Sequence, residues 1–141
     1  MPDLAPQITQ KIKALCAKGY RYYDQNDHKT ALRVFYQAWL LVPKPQIKWE
    51  EAGWVLTAIG DAYFRLTQYQ HACEALNSAL HCPNLDRAPF IHLRLGQCLL
   101  EQGDTNKARQ SLHRAYSIGG KNAFANEPAQ YLRAIEDLMI D

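Results

Sequence analysis

Three glycines set the frame of this chain. Align Gly19, Gly60 and Gly96, and the residues three positions on are Tyr22, Tyr63 and Leu99. Twelve positions on stand Ala31, Ala72 and Ala108; sixteen on, Phe35, Leu76 and Leu112; nineteen on, Ala38, Ala79 and Ala115. Columns that keep their size class through three copies mark an internal repeat. A repeat of this length dictates stacked units that bury their apolar faces against one another.

The columns explain themselves as helical hairpins. In each copy Ala, a large apolar residue and Ala recur at i, i+4 and i+7, which is one face of a helix. The glycine and the residue three positions later share a face of the preceding helix. Small residues let two antiparallel helices approach closely, and the large one fills the space between them. Turn signals separate the helices at Asn26-Asp27, Thr67-Gln68 and Gly103-Asp104. Pro43, Pro83 and the Gly119-Gly120 pair end the second helices.

This spacing resembles the tetratricopeptide repeat (TPR), a helix–turn–helix unit of about 34 residues. Residues 12–45 match at Leu15, Gly19, Tyr22, Ala31, Phe35, Ala38 and Pro43. Residues 53–86 match at Leu56, Ile59, Gly60, Tyr63, Ala72 and Ala79, with Leu76 in place of the usual aromatic and the proline one residue early. Residues 89–122 match at Leu95, Gly96, Ala108 and Ala115, while His92, Leu99, Leu112 and Gly120 depart. The resemblance implies an all-α fold, an α-solenoid of three TPR hairpins in one domain over residues 1–141. It is compatible with small stand-alone bacterial TPR proteins. The extra Gln46–Ala52 segment is free of breakers and is expected to lengthen the first helix of the second repeat. Asn84-Leu85-Asp86 is expected to lengthen a loop. Glu127-Pro128 opens a predicted capping helix over 128–140, with Tyr131, Leu132, Ile135 and Leu138 at helical spacing to cover the last repeat.

Composition excludes several function classes. Hydrophobic residues make up 48% and charged residues 21%, too apolar for a disordered chain. No apolar run approaches the roughly 20 residues of a membrane span, and Met1–Pro6 lacks a signal-peptide layout. Cys16, Cys73, Cys82 and Cys98 form no CxxC pair, so they read as buried thiols of a reducing, cytoplasmic compartment. Residues 1–48 carry eight basic and three acidic side chains; residues 49–141 carry eight basic and eleven acidic. The basic excess is short and unclustered, so no nucleic-acid partner is expected; with no spanning run, no membrane partner is expected either. His28, His71, His81, His92 and His113 form no metal or catalytic grouping, and His71-x-Cys73 sends its side chains to different helix faces. No phosphate-binding glycine loop is present. No catalytic residue, metal or cofactor is expected.

In stacked hairpins the first helices line a concave groove. The register places Lys13, Cys16, Tyr20, Tyr23 and Asp24 there from the first repeat, and Trp54, Thr57, Asp61, Phe64 and Arg65 from the second. The third adds Phe90, Leu93, Arg94, Gln97, Leu100 and Glu101. Lys13, Tyr20, Tyr23, Trp54, Asp61, Phe64, Arg65, Phe90, Arg94 and Gln97 are the candidate partner-binding residues. Large rigid rings dominate interface energetics, and arginines fix a peptide's polar groups. Two readings stay open: an exposed groove, or aromatics covered by the terminal segments. TPR domains that bind acidic tails of heat-shock chaperones use a two-carboxylate clamp. At the corresponding positions stand Cys16, Tyr20, Ala58 and Phe90, with only Arg94 retained, so a clamp is not expected. The expected function is a non-enzymatic module that holds a protein or peptide partner. The alternative is a dedicated immunity protein or secretion chaperone for a bacterial toxin or effector. Oligomeric state is not legible, a homodimer being one outcome.

Overall fold

The computed structural model describes residues 3–139. Met1, Pro2 and Ile140 at the end of the expected cap therefore lie outside the described residues, as does Asp141. Seven α-helices follow in chain order: α1 (Pro6–Asp24), α2 (His28–Trp39), α3 (Glu50–Arg65), α4 (Tyr69–Leu80), α5 (Pro89–Glu101), α6 (Thr105–Gly119) and α7 (Ala129–Arg133). Single 3-10 turns cover Gln46–Lys48, Gly120–Phe124 and Glu136–Leu138, and no strand occurs among the described residues. The fold is an α-solenoid built of hairpins. Its residues cluster in two compact units, Met1–Asp86 and Arg87–Asp141. The first unit holds hairpins α1–α2 and α3–α4, with α2 also packed on α3; the second holds hairpin α5–α6 and the C-terminal segment.

The same turn closes all three hairpins. The residue seven positions after each repeat glycine has positive φ: Asn26 at 64°, Thr67 at 59° and Gly103 at 84°. The next amide reaches back to the carbonyl of the tyrosine/leucine column: Asp27 N to Tyr22 O at 2.9 Å, Gln68 N to Tyr63 O at 2.9 Å, Asp104 N to Leu99 O at 3.0 Å. This is a Schellman closure, and its last residue is already the N-cap of the following helix. Asp27 accepts from Thr30 N and Asp104 from Lys107 N, both at 3.3 Å. Gln68 makes no such side-chain cap. The second hairpin therefore has the least suited turn, a β-branched residue in the left-handed region followed by a poor cap.

Within each hairpin the glycine column exists because there is no room for anything larger. A Cβ on Gly60 would lie 2.6 Å from Leu76 Cγ, and one on Gly96 would lie 2.6 Å from Leu112 Cγ; on Gly19 it would enter the Phe35 ring. The flanking Ala31, Ala38, Ala72, Ala79, Ala108 and Ala115 are wholly shielded from solvent. These side chains form the cores of the hairpins.

Two segments differ from the sequence expectation. The insertion does not simply extend α3 by seven residues. Gln46–Lys48 forms a separate 3-10 turn, Trp49 is extended, and α3 begins at Glu50. The reason is Trp49, whose indole packs on the core of the first unit while its Nε1 donates to Pro43 O at 3.0 Å. That pulls its backbone out of helical geometry. The C-terminal segment is likewise a short α7, a turn and a 3-10 turn, not one helix over 128–140. Arg109 Nε takes the Ala134 carbonyl at 3.1 Å, the acceptor that a continuing helix would offer to residue 138. The Leu138 amide bonds to Ile135 O instead. Tyr131 and Ile135 are still buried, packed with Leu93, Leu112, Ala115 and Phe124.

Two stability outcomes follow. Installing the better turn, Thr67→Gly with Gln68→Asp, is expected to raise the urea unfolding free energy by about 1–2 kcal/mol. Gly96→Ala and Ala108→Leu are each expected to lower it by about 1–3 kcal/mol through overpacking of a closed hairpin. An unchanged midpoint in either variant would mean that the α5–α6 contact is looser than the structure has it.

Candidate partner-binding surface

The face shared by α1 and α3 brings together most of the first unit's candidate residues. Lys13 Nζ lies over the Trp54 ring, 5.4 Å from its centroid. Two turns further along, Tyr20 packs edge-on against Tyr23 with centroids 5.6 Å apart, and against Phe35 of the core at 5.0 Å. Tyr23 is the centre of the cluster. Its hydroxyl donates to Asp61 Oδ1 at 2.9 Å and accepts from Arg65 Nε at 2.7 Å. The Arg65 guanidinium lies 5.8 Å from the Tyr23 ring centroid and 5.6 Å from that of Phe64. Burial, and after it the negative charge of Asp61, raise the Tyr23 phenol above its ordinary value, so at neutral pH it keeps its proton for Asp61.

Lys13 and Arg65 are exposed, whereas Tyr20, Tyr23, Trp54 and Phe64 are half-buried with one side toward solvent. Asp61 is buried, so it acts through Tyr23 and does not reach a partner. Tyr23, Asp24, Asn26, His28 and Arg65 line a cleft of about 460 Å³ at the end of this face. Cys16, on the same stripe, is a half-buried thiol pushed up to about 11 by burial, which leaves it a poor nucleophile.

The third hairpin turns its polar candidates inward. Arg94 and Gln97 were expected to meet a partner; they are 3% and 0% exposed. Arg94 Nη1 donates to Gln97 Oε1 at 2.6 Å and to Glu127 Oε1 at 2.8 Å, and Gln97 Nε2 donates to the same Glu127 oxygen at 2.6 Å. The physical reason is that the segment after α6 carries Glu127 back onto α5, and a buried guanidinium requires a carboxylate. Phe90 is exposed, with the Arg94 guanidinium 4.9 Å from its ring centroid. Glu127 was missed as a site residue because its sequence signal, Glu-Pro before an apolar periodicity, reads only as a helix start.

Removing that carboxylate takes the Glu127 ion pair from a buried guanidinium. Glu127→Ala is expected to cost about 3–5 kcal/mol of stability, read by urea unfolding, with Glu127→Gln intermediate. An effect below about 1 kcal/mol would show the cluster to be solvated.

Among the described residues no three His, Cys, Asp or Glu side chains are grouped to hold a metal ion, and no helix is long and apolar enough to cross a membrane. A family model described as "Tetratricopeptide repeat" matches residues 92–117. BBS4, a BBSome complex member from Bos taurus, is 28% identical over 119 residues, 84% of this chain but 20% of that protein. The chain thus spans about a fifth of the length of that curated relative. The Yersinia enterocolitica type III secretion chaperone SycD, solved with a peptide of the translocator YopD, matches with a TM-score of 0.72 and 17% identity over 92% of each chain. The first TPR of Spaghetti (RPAP3), bound to the HSP90 peptide SRMEEVD, matches with a TM-score of 0.72 and 20% identity over 90% of this chain and 94% of that one. At such identities the structures speak for the fold. With the family match inside the third hairpin and the same glycine, alanine and turn columns in all three, this chain is built of tetratricopeptide-type helical hairpins.

Proposed function

We propose that this chain is a non-enzymatic interaction module that holds a protein or peptide segment on the α1/α3 face. The observation that carries the reading is the pinned cluster of Tyr23, Phe64 and Arg65: half-buried rings with an exposed guanidinium lying beside them, oriented through the Tyr23 hydroxyl. Rigid aromatics give area at low entropic cost, and a pre-oriented guanidinium offers directed donors to carbonyl or carboxylate groups. Lys13 and Trp54 extend the face toward the start of α3. Phe90 offers an exposed ring on the third hairpin. The ligand that fits is a segment bearing apolar or aromatic side chains with few carboxylates.

SycD and Spaghetti (RPAP3) were each solved with a peptide, which gives the reading its support by likeness of fold. A two-carboxylate ligand is disfavoured here, because the one retained clamp residue, Arg94, is engaged by Glu127. The alternative of a dedicated secretion chaperone draws its support from the likeness to SycD over 92% of both chains; an immunity role has no such observation behind it.

Capture from a lysate of the source cell, identified by mass spectrometry and measured by calorimetry with the purified partner, tests the proposal. Phe64→Ala and Arg65→Glu are expected to weaken binding by about 2 kcal/mol or more each, with helical circular dichroism unchanged. Gln37→Ala, exposed on α2, should have no effect. The peptide SRMEEVD is expected to bind no tighter than about 1 mM. Equal capture by wild type and both face variants would refute the assignment.

A further inference from the structure

The insertion at 46–52 is not needed to stack helical hairpins, yet it helps to build a cavity of about 690 Å³ that belongs wholly to the first unit. Three stretches line it: the start of α1, residues 48–51 of the insertion, and the loop after α4 at Pro83 and Asn84. Leu4, Pro6, Trp49 and Pro83 give it apolar walls. Thr9, Glu50 and Glu51 are among its polar groups. Apolar walls with a few convergent polar groups, around a volume of this order, are the usual make-up of a ligand site.

The charges in the lining are of both signs, and burial ranks them. Asp3, Glu50 and Glu51 stand against Lys13 and Lys48, three acids to two bases. Both lysines are exposed, and each places its ammonium over an indole. Lys13 Nζ lies 5.4 Å from the Trp54 ring centroid, and Lys48 Nζ 5.2 Å from that of Trp49. Glu50 and Glu51 are half-buried, and among the described residues neither is ion-paired with these lysines. Glu51 Oε2 accepts from the Thr9 hydroxyl at 2.7 Å, while Glu50 has no side-chain partner among the described residues. A half-buried carboxylate gains more from a cation than an exposed lysine gains from an anion, because less water screens it. The dipole of α3 favours carboxylates in its first turn, which accounts for two acids there but not for the cavity they line. Trp49 is fixed by its indole bond to Pro43 O and already carries a cation over its ring, the Lys48 ammonium. Indole faces are the strongest cation platforms among the side chains.

Lys13 ties this cavity to the partner-binding face, since it lines the one and lies over Trp54 on the other. On the reading that the α1/α3 face holds the partner, we propose that the cavity receives the ammonium or guanidinium of a lysine or arginine on the bound segment. Glu50 and Glu51 accept its hydrogen bonds, and Trp49 forms the wall beside it. A spacing follows. From Glu50 to Arg65, α3 runs sixteen residues, about 22 Å at the helical rise. An extended segment covers that span in about seven residues, so its basic side chain stands about seven positions from the group that meets Arg65.

The test titrates Nα-acetyl-lysine methylamide, and in a second series Nα-acetyl-arginine methylamide, into the isotope-labelled whole chain with no partner present. The readout is the indole N–H resonances. That of Trp49 is expected to shift with a Kd of about 1–10 mM, and that of Trp39, which does not line the cavity, to stay. The Nε-acetylated lysine probe, uncharged, and Nα-acetyl-glutamate methylamide are expected to bind about tenfold more weakly or worse. Glu50→Gln with Glu51→Gln is expected to weaken the lysine probe about tenfold. Lys48→Ala, at an exposed position, is expected to tighten it about twofold by removing a like charge. The Lys48→Ala and probe series decide the matter even where the paired glutamines disturb α3. No Trp49 shift at about 50 mM probe overturns the proposal, and so does equal binding of the uncharged probe. Preference for the glutamate probe, or weaker lysine binding in Lys48→Ala, overturns it as well. The partner-binding face is judged separately by its Phe64 and Arg65 variants, so the two assignments fail independently.

Discussion

Everything in this protein depends on how closely two helices of a hairpin can approach. The Gly60–Leu76 and Gly96–Leu112 contacts leave no space for a Cβ, and the alanines on either side are wholly buried. Close approach makes each hairpin a thin, rigid plate whose remaining apolar surface must be covered by a neighbour. The positive-φ turn is the second half of the same constraint. Only a connection this tight returns the second helix at once, and its closing amide bonds to the carbonyl of the residue three positions after the glycine.

Once the hairpins exist, the two units differ in how they treat their polar groups. In the first, the Asp61 carboxylate is buried and accepts from Tyr23, whose hydroxyl accepts from Arg65 in turn, leaving an exposed guanidinium beside aromatic rings. In the second, Arg94 and Gln97 are sealed by one oxygen of Glu127. The two outcomes follow from one electrostatic rule: a charge taken out of water must be paired, by a neighbour on the same face or by a segment that returns to it. A surface suited to binding survives where the pairing leaves one partner in solvent.

The helical hairpins and their order were legible because periodicity and small-residue columns are local properties, repeated three times. Much of the first unit's candidate face was legible for the same reason. Tyr23, Phe64 and Arg65 share a stripe by spacing alone, and the structure brings them together. The fates of Arg94 and Gln97 were not legible, since they depend on a carboxylate some thirty residues away. Neither was the break before α3, which follows from where one indole finds its acceptor.

The amino-acid order alone therefore determined the repeat, the all-helical class and the positions of the turns, because helix period, glycine and left-handed turn chemistry act over fewer than about twenty residues. Only tertiary structure decided which stripe residues stay at the surface and which become internal pairs. It also decided where α7 stops, since the Ala134 carbonyl is taken by Arg109 of α6. Burial and long-range pairing arise from elements that meet in space, and no local pattern encodes which carboxylate, indole or guanidinium arrives first.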